Sequence, residues 1–167
     1  ALNLLATPHE SKSRGPRILV LVPTRELATQ VNEAARKYGK FIRARTVSIV
    51  GGMPYPLQNK LLSQPLDILV ATPGRLLDLM SQNCVSLANI EILVLDEADR
   101  MLDMGFLRDI KKILAALPKQ RQNLLFSATF STEIKALADG LLNSPALIEV
   151  ARSNSTNDAI AQLIHPV

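Results

Sequence analysis

At 167 residues, 47% of them hydrophobic and 20% charged, the chain has the make-up of one globular domain that buries roughly 70% of its unfolded surface. No apolar run reaches the about 18 residues a bilayer-spanning helix needs, and the apolar start, Leu2 to Ala6, lacks the preceding basic residues of a signal peptide. The single Cys84 excludes an internal disulfide, so a reducing cytoplasm is the expected setting. The net charge of +4 hides an asymmetry: residues 1–75 hold eleven Lys/Arg against four Asp/Glu (+7), and residues 76–167 hold eight against eleven (−3). A basic half suits a polyanion and an acidic half suits a metal. With no Trp, two Tyr and four Phe, a nucleic acid would be held mainly by its phosphate-sugar backbone.

In chain order, the first residues read as the end of a helix, and Thr7 to Pro16 as a polar loop. Ile18 to Val22 is a buried-type strand stopped by Pro23, and Thr24 caps a helix that carries Leu27, Ala28, Val31, Ala34, Ala35 and Tyr38 at helical spacing and ends at Gly39. Thr46 to Val50 is a strand closed by Gly51-Gly52, and Tyr55 to Ser63 a short helix. Ile68 to Ala71 is a third strand, followed by a helix that starts at Pro73, where proline is tolerated. After a fourth strand, Ile92 to Leu95, come a helix from Phe106 to Leu117, a strand at Leu124 to Phe126, a helix from Ser131 to Leu142 and a last strand from Ala146 to Val150. Strands alternating with helices predict an α/β domain: a parallel sheet with helices on both faces and a ligand site at the carboxyl ends of its strands. Residues 151–158 read as a linker.

The fourth strand organises the rest. Ile92-Leu93-Val94-Leu95 runs directly into Asp96-Glu97-Ala98-Asp99, three carboxylates within four positions. Such a cluster repels itself and protonates unless a cation is near, and at a strand end that cation is often magnesium carried by a nucleoside triphosphate. A capping aspartate with a solvated acidic turn is the plainer alternative. What favours chemistry is that every strand ends in a polar or glycine-containing motif: Pro23-Thr24-Arg25-Glu26-Leu27-Ala28, Gly51-Gly52, Thr72-Pro73-Gly74-Arg75, Asp96-Glu97-Ala98-Asp99 and Ser127-Ala128-Thr129. A parallel sheet would bring all five to one edge.

These motifs, in this order and spacing, resemble those of DEAD-box ATP-dependent RNA helicases: PTRELA from Pro23, TPGR from Thr72, DEADRMLDMGF from Asp96 to Phe106 and SAT from Ser127. The resemblance covers almost the whole chain and implies the first RecA-like (P-loop NTPase) domain of a bacterial-type member over residues 1–150, with residues 159–167 opening a second RecA-like domain. It implies that Asp96 holds magnesium through water beside the nucleotide phosphates, that Glu97 joins it at the metal and orients or deprotonates the attacking water, and that Asp99 and the hydroxyls of Ser127 and Thr129 hydrogen-bond one another. It gives Thr24, Arg25, Gly51, Gly52, Thr72, Gly74 and Arg75 to the RNA backbone, a substrate read without base sequence. For Arg25 and Arg75 the competing expectation is a surface ion pair, with Glu26 or Asp78. Arg36, Lys37, Lys40, Arg43 and Arg45 are expected to be solvated surface.

The sequence departs from the family in one respect. The phosphate-binding loop GxxxxGK(S/T) is missing from the 167 residues, and Gly39-Lys40, followed by Phe41, does not substitute for it. The resemblance places that loop upstream of Ala1 and its strand inside the sheet, next to those at Leu124 and Ala146. The domain is therefore expected to be incomplete at its N-terminus, inactive towards ATP by itself, and marginally stable or prone to associate through unpaired strand edges. A DNA-acting helicase of the same superfamily and a non-catalytic RNA- or protein-binding module are the alternatives.

Overall fold

The computed structural model describes residues 2–7 and 15–150; the expected linker and second-domain start lie outside them. Five four-residue strands form one parallel sheet: β1 (Ile18–Leu21), β2 (Thr46–Ile49), β3 (Ile68–Ala71), β4 (Ile92–Leu95) and β5 (Gln122–Leu125), in the order β2-β3-β1-β4-β5. Around it lie α1 (Leu2–Leu5), α2 (Arg25–Tyr38), α3 (Tyr55–Leu62), α4 (Pro73–Ser81), α5 (Ala98–Asp103), α6 (Leu107–Ala115) and α7 (Thr132–Leu141).

Period-two alternation divides the apolar strands between two cores. Ile18, Val20, Val22, Ile68, Val70 and Ile92 pack on one face with Ala28, Leu27, Val31 and Ala35 of α2 and with the leucines of α1. Leu19, Leu21, Leu69, Ala71, Leu93 and Leu95 face the other way, onto Leu76 and Leu79 of α4, Met101 of α5, Ile110 and Ile113 of α6, and Ile134 and Leu137 of α7. The continuous apolar runs of β1 and β3 are thus those of strands covered on both faces. At the amino end of the sheet, Arg17, 9% exposed, forks onto both carboxylate oxygens of Glu91 (Nη2 to Oε2 3.3 Å) and donates through Nη1 to the Thr7 carbonyl at 2.8 Å.

The helix boundaries have local causes. The Thr24 hydroxyl accepts from the Leu27 amide at 3.3 Å, and Glu26 in the first turn with Arg36 and Lys37 in the last complement the helix dipole of α2. Gly39 ends α2 for lack of room: its φ is −81°, and a Cβ there would lie 2.7 Å from the Ala35 carbonyl oxygen. The turn Ala98–Asp103 forms a helix of its own, which the sequence pattern does not separate from the acidic motif.

Two expectations need correction. The strand predicted at Leu124–Phe126 is Gln122–Leu125, with Phe126 54% exposed beyond its end. Ala146–Val150 is not a strand: no sheet neighbour exists for it among the described residues, and Leu147, Ile148 and Val150 are 63%, 82% and 86% exposed. A strand persists only where its backbone groups find a partner, and β5 is an edge paired with β4 alone. Among the described residues β5 is thus an open edge of the sheet, while the second edge expected at Ala146 does not form.

Candidate functional site

The registers of the four ladders align the strand ends. Ile49, Ala71, Leu21, Leu95 and Leu125 form one row across the sheet, so all five motifs start along the same edge. Strand order then sorts them. Gly51-Gly52, Thr72-Pro73 and Thr24-Arg25 follow β2, β3 and β1 on one half, while Asp96-Glu97 and Ser127-Thr129 follow β4 and β5 on the other.

On the first half, the loop after β2 is held from both sides. Arg25 Nη2 donates to the Gly51 carbonyl at 2.8 Å, and Arg75 Nη1 donates to the Met53 carbonyl at 2.8 Å. Both arginines thus bind backbone carbonyls, and the ion pairs weighed for them do not form. The Asp78 carboxylate instead accepts from the Tyr55 hydroxyl at 2.9 Å, and the Arg75 guanidinium lies 4.3 Å from the Tyr55 ring centroid. The bond to Asp78, aided by burial and by the charge of Asp78, raises the Tyr55 hydroxyl above its ordinary pKa despite the opposing charge of Arg75. Gln58, fully buried, donates to the Val50 and Met53 carbonyls at 3.3 and 2.8 Å and fixes the loop from beneath.

The glycines differ. Gly52 has φ +78°, and a Cβ there would strike the Arg25 guanidinium; Gly51 has open space, and a methyl at Gly74 would make only ordinary contacts, 4.0 Å from Asp109 and Phe106. The fold itself therefore requires glycine at Gly52 and at neither of the other two. Thr24 uses its hydroxyl as a helix cap, whereas Thr72 opens α4 with no hydroxyl cap bond.

On the second half, the Asp96 amide donates to Leu21 at 3.0 Å, and its carboxylate Oδ1 accepts from the Glu97 amide at 2.9 Å. The carboxyl of Asp96 is pushed above the usual carboxylate range, first by burial and less by the Glu97 charge, while the Glu97 amide opposes the shift. Self-repulsion within the acidic cluster is thus the smaller cause, contrary to expectation. Glu97 sits in the left-handed region (φ 49°, ψ 50°) and pairs with Arg100 at 3.3 Å on an exposed face. Thr129 Oγ1 donates to Asp99 Oδ2 at 3.3 Å, joining the β4 and β5 loops. Ser127 bonds the Thr129 carbonyl at 2.9 Å and not Asp99, so the three-way link expected among these side chains has two steps.

Tyr55 and Gln58 lie outside the sequence motifs, and Arg100, though within DEADRMLDMGF, is given no role there. Only the i,i+3 spacing of Glu97 and Arg100 could have flagged one of them. A cavity of about 260 Å³ beside Pro16, Leu62, Leu66 and Cys84 contains none of the motif residues and, among the described residues, no basic group to hold a phosphate. No group of three or more His, Cys, Asp or Glu positioned to hold a metal occurs among the described residues, and no helix there is long and apolar enough to cross a membrane.

Comparison with known proteins identifies the family and the fold. A DEAD/DEAH box helicase family model matches residues 1–137. DEAD-box ATP-dependent RNA helicase 40 of Arabidopsis thaliana is 40% identical over all of this chain, which spans 16% of that protein. ATP-dependent RNA helicase RhlB of Pseudomonas putida is 42% identical over 96% of the chain, or 41% of its own length. Among solved structures, a hypothetical ATP-dependent RNA helicase from Sulfolobus tokodaii superposes with a TM-score of 0.77 at 39% identity, covering 87% of this chain and 40% of that one. A yeast DEAD-box splicing factor gives 0.75 at 36% identity, covering 83% and 34%. The chain thus spans less than half the length of these relatives, its sheet has the RecA-like form, and it belongs to the DEAD/DEAH box helicase family.

Proposed function

We propose that this chain is part of an ATP-dependent RNA helicase in which ATP binding and hydrolysis drive local separation of RNA strands. The observation that carries this reading is the sorting of motifs along one sheet edge: backbone-gripping arginines and glycines on the β2-β3-β1 half, carboxylates and hydroxyls on the β4-β5 half, and Asp99–Thr129 within the latter. The donor set fits magnesium. That ion keeps most of its water and rests on one or two carboxylates plus nucleotide phosphates, and Asp96 is a partly desolvated carboxylate with no cage of metal-ligating side chains around it among the described residues. Bound there, magnesium-ATP supplies the phosphoryl group and the charge neutralisation its transfer needs.

Asp96 would hold the ion, and Glu97 would join it there and orient or deprotonate the attacking water. Asp99, Thr129 and Ser127 carry the state of the β4-β5 loops. Thr24, Arg25, Gly51, Gly52, Thr72, Gly74 and Arg75 take the RNA backbone without reading bases. The second RecA-like domain of the same protein completes the ATP site, and the cytoplasm is its setting. The 167 residues alone, lacking GxxxxGK(S/T), hydrolyse no ATP and separate no duplex.

The test is ATP-dependent separation of a short RNA duplex by the full-length protein, against a DNA duplex of equal sequence. Separation of RNA, lost in Arg25→Ala, is expected. Preference for DNA, or separation without ATP, contradicts the reading.

A further inference from the structure

The far end of α2 carries a feature the motif edge does not explain. Helix α2 is 14 residues long and runs from Thr24 at the motif edge to Tyr38 at the opposite end of the sheet, about 21 Å away. There, Arg36, Lys37, Lys40, Arg43 and Arg45 are all exposed, and no Asp or Glu occurs between residues 34 and 66. The flanking acids are Glu33, one turn before Lys37 on α2, and Asp67, whose carboxylate accepts from the Arg45 amide at 2.8 Å.

Two of the chain's six Tyr and Phe residues stand among these cations. Tyr38 is 64% exposed and Phe41 93%, the most exposed of the large hydrophobic residues described. A one-turn 3-10 helix, Lys40–Ile42, projects Phe41, and Arg43 closes it in the left-handed conformation (φ 53°) with its amide on the Lys40 carbonyl at 3.2 Å. The Lys37 ammonium lies 5.7 Å from the Tyr38 ring centroid. Exposed rings set among cations match a stacked base with its phosphates.

We infer that this basic-aromatic patch is a second contact for single-stranded RNA, with Phe41 and Tyr38 stacking on bases and Lys37, Lys40 and Arg43 on flanking phosphates. It rests on the RNA-helicase reading of the chain and adds a contact separate from the motif edge. At about 3.4 Å per stacked nucleotide, the two contacts lie roughly six nucleotides apart, within reach of one strand.

The test is fluorescence anisotropy of a labelled oligouridylate of about 20 nucleotides, titrated with the full-length protein at several salt concentrations. Phe41→Ala is expected to weaken binding about tenfold while Phe41→Trp retains it, since a ring is needed and not a particular residue. Lys40→Gln with Arg43→Gln should lower the slope of log affinity against log salt by about 1.4, or about 0.7 per lost phosphate contact. All three positions are exposed, so an unchanged melting temperature accompanies these effects. If affinity and slope stay at wild-type values in these variants while Arg25→Ala still weakens binding, the patch serves something else, such as another protein, and the inference fails with the helicase reading intact. If the wild-type protein does not bind the oligouridylate, both fail.

Discussion

The guanidinium of Arg25 occupies the space a side chain at Gly52 would need, and from there it grips the Gly51 carbonyl. The arginine after one strand and the glycine after another are therefore one structural unit. Gly52→Ala should expel Arg25 and strain a φ of +78°, destabilising the chain by about 1–3 kcal/mol and weakening RNA binding about tenfold. Gly51→Ala, with open space around it, should change stability by less than about 0.5 kcal/mol. Denaturant melts and oligonucleotide titrations of the pair check this; equal effects on stability would refute the difference.

Glu97 holds a left-handed backbone that disfavours any residue with a Cβ. Strain kept at a carboxylate on the motif edge is expected where the side chain is needed. Glu97→Gly should raise stability by about 1 kcal/mol, the exposed Arg100 pair contributing little, and should abolish phosphate release in the full-length protein. A destabilised Glu97→Gly variant would show that the backbone is not strained.

Asp96 gives a pH signature. Its folded-state pKa is raised, chiefly by burial, so the folded chain binds this proton more tightly than the unfolded one. Stability is then lost as pH rises through the carboxylate range and stays lost above the folded pKa. Asp96→Asn should therefore melt higher than wild type at neutral pH, and the gap should close as pH falls below about 3.9, the unfolded value. A lower melting temperature for Asp96→Asn at neutral pH would reverse the sign.

Two ion pairs of the same chemistry should differ by burial. Arg17 with Glu91 is largely enclosed, with side chains 10% and 33% exposed, whereas Arg100 with Glu97 is 57% and 43% exposed. Glu91→Ala leaves the Arg17 charge buried and should cost about 2–3 kcal/mol, while Arg100→Ala should cost less than about 0.5 kcal/mol. Urea midpoints of the two variants measure the ratio directly.

Much of the fold is legible in the residues themselves. The α2 signals, Thr24 as cap and Gly39 as stop, fall at its two ends, and β3 and the Pro73 start of α4 match the pattern to the residue, because capping and proline chemistry act locally. Ala146–Val150 is not legible in this way, since whether an apolar run becomes a strand depends on a neighbour its own sequence does not encode. The same limit applies at the site. The resemblance groups Arg25 and Arg75 with Gly51 and Gly52, but that both arginines end on backbone carbonyls of the loop after β2, with Tyr55 and Gln58 completing the clamp, depends on how α2, α3 and α4 meet around β2.

The most direct measurement of the central claim is phosphate release from magnesium-ATP by the full-length protein, with and without RNA, in wild type and Glu97→Gln. RNA-stimulated release in the wild type and a loss of at least about a hundredfold in Glu97→Gln, with RNA binding retained, is the predicted result. Release that RNA does not stimulate, or that survives Glu97→Gln unchanged, would contradict the assignment of this sheet edge to ATP hydrolysis coupled to RNA.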